Sequence, residues 1–116
     1  MADLVGKVWD VALIYVGTPS AADDLVQYMV PCDVRVLAAQ ASAETSSTGV
    51  VSIENKTDSV DIVATIAIIS AALPIEGTLT TTVASQVLTD GEIISLNVDT
   101  AGDMVDPKAH VLLVGI

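Results

Sequence analysis

Hydrophobic residues occur along this chain in short runs separated by Gly, Pro, Asn, Asp and Ser at fairly even spacing, and almost no stretch carries the i, i+3, i+4 pattern of an amphipathic helix. The runs predict eight strands, over residues 7–16, 25–30, 34–41, 50–55, 60–70, 77–85, 93–99 and 109–116. Pro31 divides the second from the third, and the polar ETSSTG stretch at 44–49 is expected to be an exposed loop. Residues 56–59 read as a turn, and 84–91, closing on Asp90-Gly91, has room for one helical turn. Alternation supports strands with one wet face: Leu79, Thr81 and Val83 oppose Thr80 and Thr82, and Ile94, Leu96 and Val98 oppose Ser95, Asn97 and Asp99. The run 60–69, after Asp61 and apart from Thr65, and the closing HVLLVGI are apolar on both faces, so each needs a covering neighbour, either a loop or a second subunit, of which the subunit is the expected one.

Short strands without crossover helices predict an all-β fold, an antiparallel β-sandwich of jelly-roll type with two four-stranded sheets. With 116 residues and no internal repeat or linker, the chain reads as a single domain over 1–116, with 1–6 as a candidate N-terminal arm. A chain this long buries roughly two-thirds of its unfolded surface. The core must come from Val, Ile, Leu and Ala, because 52% of residues are hydrophobic while 3% are aromatic and none is Phe. A mean hydropathy of +0.66 with only 16% charged residues suggests apolar surface hidden by a partner.

A bilayer is not that partner, since the richest stretch, 62–75, is bounded by Asp61 and Glu76 and is too short to span. The N-terminal MADLVGKVWD lacks the basic region and cleavage site of a secretory signal, and a single Cys permits no internal disulfide; both suggest a reducing compartment. A net charge of −11 disfavours nucleic acid, whose phosphates it would repel.

The residues that could carry chemistry are few. Cys32 and His110 are each unique, and nothing in their spacing joins them into a nucleophilic pair; Cys32 reads as a small buried hydrophobe and His110 as a surface residue of the last strand. One Cys and one His cannot furnish a zinc site. Asp99, Asp103 and Asp106 cluster around Gly102 as a candidate calcium loop, but their spacing is not that of an EF-hand and such loops are usually only solvated. Asp23, Asp24, Glu54, Glu76 and Glu92 read the same way. A carboxylate pair for glycoside hydrolysis would want aromatic platforms, which one Trp and two Tyr scarcely supply. No glycine-rich phosphate loop or G-x-S-x-G occurs. No catalytic residue, cofactor or metal is therefore expected, and the candidate interface residues are Trp9 and Leu13 in the first strand and Tyr28 in the second.

From Pro31 onward, about three-quarters of the chain, the order of features resembles the small jelly-roll decoration or cement (head-fibre-like) proteins of tailed-bacteriophage capsids. The resemblance is carried by VPCDVRV closing one apolar strand, by VSIENKTDSV as strand, Asn-containing turn and strand, and by LTDGEIISLNVDTAG before the final apolar strand. It implies a structural, non-enzymatic virion protein, made in the host cytoplasm and forming symmetric oligomers, most simply homotrimers, on the outer capsid surface, where it braces the major capsid protein. The absence of a further C-terminal domain weighs against host-receptor binding. The alternative is a carbohydrate- or receptor-binding module of a tail or adhesin, with an aromatic face near Trp9 or Tyr28.

Overall fold

The computed structural model describes residues 4–68, 74–80 and 86–116. The strands are β1 (Val8–Ile14), β2 (Ala22–Met29), β3 (Val34–Ser42), β4 (Gly49–Asn55), β5 (Val60–Ile68), β6 (Ile75–Gly77), β7 (Val87–Leu88), β8 (Ile93–Thr100) and β9 (Lys108–Gly115). They form an antiparallel β-sandwich. One sheet has the order β1-β9-β3-β6, with β7 also pairing β3; the other has the order β2-β8-β4-β5. The pairings β1:β9, β2:β8, β3:β6 and β4:β5 are nested, so the chain runs as one long folded-back ribbon wound into two layers, which is the jelly-roll path. The expected pair of four-stranded sheets becomes five and four, because the two-residue β7 adds to the first.

Period-two alternation decides which side chains fill the space between the sheets. Val11 and Leu13 of β1, Val34 and Val36 of β3, and Val111 and Leu113 of β9 point inward from the first sheet. Val51, Ile53, Ile94, Leu96 and Val98 meet them from the second. Aliphatic side chains make up nearly all of this core, as the shortage of aromatic residues requires, with Met104 closing one end.

β5 is where the expectation of a covering subunit fails. Ile62, Val63, Ile66 and Ile68 are all at most 2% exposed, while Ala64, Thr65 and Ala67 face out. Irregularities in the β4–β5 register around Ile53 let the neighbouring Ile62 and Val63 both turn inward. The same chain covers them: Thr80 N–H bonds Ile62 O at 3.0 Å, and a Cβ on Gly77 would stand 2.7 Å from Val63 Cγ1. Gly77 thus lets β6 press against β5, and the chain leaves the sheet there to wrap the layer. Of the strand expected over 77–85, Gly77 lies in β6, residues 78–80 are not strand, and 81–85 lie outside the described residues.

The candidate arm is also tied down where it is described. Gly6 N–H bonds Gly115 O at 2.7 Å, Gly115 N–H bonds Lys7 O at 2.9 Å, and Val5 forms a parallel bridge with Gly115. The approach is so close that a Cβ on Gly115 would lie 1.8 Å from the Leu4 carbonyl oxygen. Gly115→Ala should therefore force backbone apart and lower the unfolding free energy by about 1–3 kcal/mol. Urea denaturation measures it, and an unchanged midpoint would show that residues 4–6 yield freely.

Candidate functional site

The two outward sheet faces differ in kind, and the difference starts in the sequence of each strand. On β8, Ser95 and Asn97 alternate with the core residues Ile94, Leu96 and Val98, so the outer face of the second sheet is polar. A bulge in β2 between Ala22 and Val26, with Asp24 at φ 59°, folds the Asp24 side chain over this face. Ser95 Oγ lies 2.9 Å from Asp24 Oδ1 and 2.8 Å from Asn97 Oδ1, and Asn97 Nδ2 donates to Glu54 Oε1 at 3.3 Å. Asn97 Oδ1 also accepts the Asp24 N–H at 2.7 Å, and Ser52 Oγ–H donates to Asp99 Oδ1 at 3.2 Å. The Lys56 ammonium donates to Asp24 and, with help from Ser95, holds that carboxyl below its ordinary value. This face spends its polar groups on itself.

The outer face of the first sheet is built otherwise. Opposed pairs across β1, β9 and β3 set Val8 by Val114 and Arg35, Asp10 by Leu112 and Ala38, and Ala12 by His110 and Gln40. Val8, Ile14 and Leu37 are 55%, 56% and 42% exposed, and Arg35 and Lys108 bring positive charge that is scarce in this chain. His110 Nδ1 lies 2.9 Å from Asp10 Oδ2. These two, with Gln40, Glu76 and Leu112, line an open hollow of about 360 Å³. An Asp–His pair in a shallow hollow could orient an imidazole, but the one thiol is remote. Cys32 precedes β3, and Gln40, the residue opposite His110, is roughly 20 Å along that strand from Val34. The structure thus leaves Cys32, half-buried against the core, separate from His110.

The three aspartates considered for calcium diverge. Asp103 accepts Ser47 N–H and Ser47 Oγ–H, both at 2.8 Å; Asp106 accepts Gly17 N–H at 2.6 Å; Asp99 takes the Ser52 hydroxyl. Among the described residues no three His, Cys, Asp or Glu side chains come together as a metal site. What these acids do is pin loops. The 44–49 segment, expected to bury little, is anchored by Asp103 from above and by buried Ser46, whose hydroxyl donates to Ile68 O at 2.6 Å. The hydrogen bond from Ser47 N–H holds Asp103 below the ordinary carboxylate value, and that from Gly17 N–H does the same for Asp106. Asp106 in turn pushes the Glu44 carboxyl up, so this pair retains a proton to higher pH than either acid would alone. Glu92 pushes Asp58 up likewise, while the Thr89 N–H lowers Glu92.

Of the expected interface residues, Leu13 is corrected outright: it is 1% exposed, because alternation from Val8 sends odd positions of β1 into the core. Trp9 shares that parity, stands opposite core Leu113, and is half-buried against the core. Tyr28 sits opposite core Ile94 on the other sheet and is also half-buried. The two aromatics therefore belong to different layers and make no common platform for a sugar. The large apolar residues that are exposed on β1, Val8 and Ile14, were legible from parity once the inward face of the strand was known.

No family model and no curated protein matches this chain. Among solved structures, a chain of the acidic stable capsid structure of Helicobacter pylori bacteriophage KHP30 is similar with a TM-score of 0.55 at 14% identity, over 92% of this chain and 86% of that one. A chain of the cyanophage Pam1 capsid asymmetric unit is similar with a TM-score of 0.42 at 16% identity, over 95% and 84%.

Two outcomes are expected. Leu13→Ala should cost about 2–5 kcal/mol in urea denaturation, whereas Val8→Ala should stay within about 0.5 kcal/mol. For Asp103, the lowered carboxyl contributes stability that is present above the unfolded value near 4 and is lost as pH falls through the folded one. Asp103→Asn should therefore lower Tm at pH 7, with the gap to wild type closing as pH falls below the ordinary carboxylate value and through the lower folded one; a gap independent of pH would mean that Asp103 does not anchor the loop through its charge.

Proposed function

We propose that this chain is a structural virion protein, a decoration or cement protein that binds the outer surface of a phage capsid built from a major capsid protein and stabilises it without catalysis. The observation that carries this reading is the likeness in fold to a chain of the KHP30 capsid structure over nearly the whole of both chains. The order of motifs from Pro31 onward, read from the sequence, points the same way. The contrast between the two sheets supports it further. A self-satisfied, acidic outer face suits solvent, while a face with exposed Val8, Ile14 and Leu37 beside Arg35 and Lys108 suits contact with protein.

Such a protein works by linkage: it binds the assembled shell and not its dispersed subunits, so the shell gains about 2.7 kcal/mol per site at a concentration 100 times Kd. Shells of the cognate major capsid protein should accordingly break at a higher temperature when saturated with this protein. Light scattering during heating measures it, and an unchanged disruption temperature at saturation would sink the reading.

A further inference from the structure

We infer that β1 is a self-association edge, through which two copies of this chain join by antiparallel β1–β1 pairing about a two-fold axis at Val11. The inference goes beyond the capsid reading and stands or falls without it. It begins with the backbone. Tyr15 N–H bonds Pro107 O and Gly115 N–H bonds Lys7 O, in the same register as the rest of the β1–β9 ladder. Odd-numbered residues of β1 therefore turn their N–H and C=O groups toward β9, and Val8, Asp10, Ala12 and Ile14 turn theirs to the open side. β1 ends its sheet, with no strand beyond it among the described residues.

The other edges carry devices that prevent pairing. β2 is broken by the Asp24 bulge, β5 is irregular against β4 and bears Asp61, and the far side of β3 is bordered only by the short β6 and β7. β1 keeps unbroken register over seven residues, contains neither Pro nor Gly, and has one charge, Asp10, which is hydrogen-bonded to His110. Exposed apolar side chains gather there as well. Val5, Val8, Ile14 and Val16 are four of the seven exposed large hydrophobic residues among those described.

The register follows from charge and reach. Setting Asp10 against its own copy would appose two carboxylates in a chain of net charge −11. Setting Ala12 against its own copy would leave Val8 unpaired. Centring on Val11 joins all four outward-turned residues, Val8 with the second copy's Ile14 and Asp10 with its Ala12, and each facing pair exchanges both hydrogen bonds. On the inner side Trp9 then meets the second copy's Leu13 end of the strand. This contact is two-fold and gives a dimer, in place of the homotrimer that was the simplest of the symmetric oligomers expected.

Native mass spectrometry and sedimentation of the full chain test it, with two variants at the same exposed positions. Wild type should run at twice the 11.9 kDa chain mass. V8K/I14K sets like charges opposite each other and should weaken the dimer at least about tenfold, whereas V8K/I14E sets Lys against Glu in this register and should retain it. A wild-type monomer or trimer, or equal loss in both variants, overturns the inference. A measurement needing no substitution is amide exchange: Val8, Asp10, Ala12 and Ile14 should exchange more slowly in the concentrated protein than on dilution, and equal rates would also overturn it. A shell that is stabilised by a monomer would leave the capsid reading standing and remove only this one.

Discussion

The ladder between β3 and β9 is the contact on which the molecule depends. It joins Val34 to Gly115 and Ser42 to Lys108, so residues from the first half of the chain are held by the last strand. β9 then carries β1 on its other side, and β3 carries β6 and β7. Without this pair the first sheet has no centre, and the inward rows of Val34, Val36, Val111 and Leu113 have nothing to present to the second sheet. Because the ribbon is nested, its outermost pairing brings together the two ends of the chain. Such long-range closure places folding among the slower β topologies, in the millisecond to second range.

The acidic residues complete this frame at its ends. Asp103 and Asp106 hold the 44–49 loop and Gly17 against the 101–107 connection, and Asp24 folds across the second sheet to meet Lys56. Each uses a carboxylate to accept backbone or side-chain donors that strand pairing leaves over. The negative charge of the chain is therefore partly architectural. It also leaves the first sheet as the less acidic side, where Arg35, Lys108 and the His110–Asp10 pair accompany exposed aliphatic side chains.

Much of the fold was legible. β3, β4, β8 and β9 were readable to within a residue because their alternation is strong and their ends are marked by Pro, Gly or Asp. Residues 78–80 were misread because TLTTTV alternates like a strand, while the place of Gly77, pressed on Val63, is visible only in three dimensions. Of the candidate interface, which apolar residues lie outside depended on strand parity. Leu13 and Ile14 are chemically alike and adjacent, yet one is 1% and the other 56% exposed.

The amino-acid sequence alone determined the class: short alternating runs without helical periodicity make strands, and a length of 116 residues rich in Val, Ile and Leu can close one sandwich. Local pattern suffices for this because the two-residue period is a property of each strand by itself. The tertiary structure decided how apolar surface is shared out. Register irregularities in β4–β5 and the passage of residues 78–80 bury a strand that looked too apolar for one chain, while no strand among the described residues covers the edge of β1. Those outcomes depend on which strands become neighbours, and neighbours far apart in sequence are chosen by the packing of the whole, not by any window of residues.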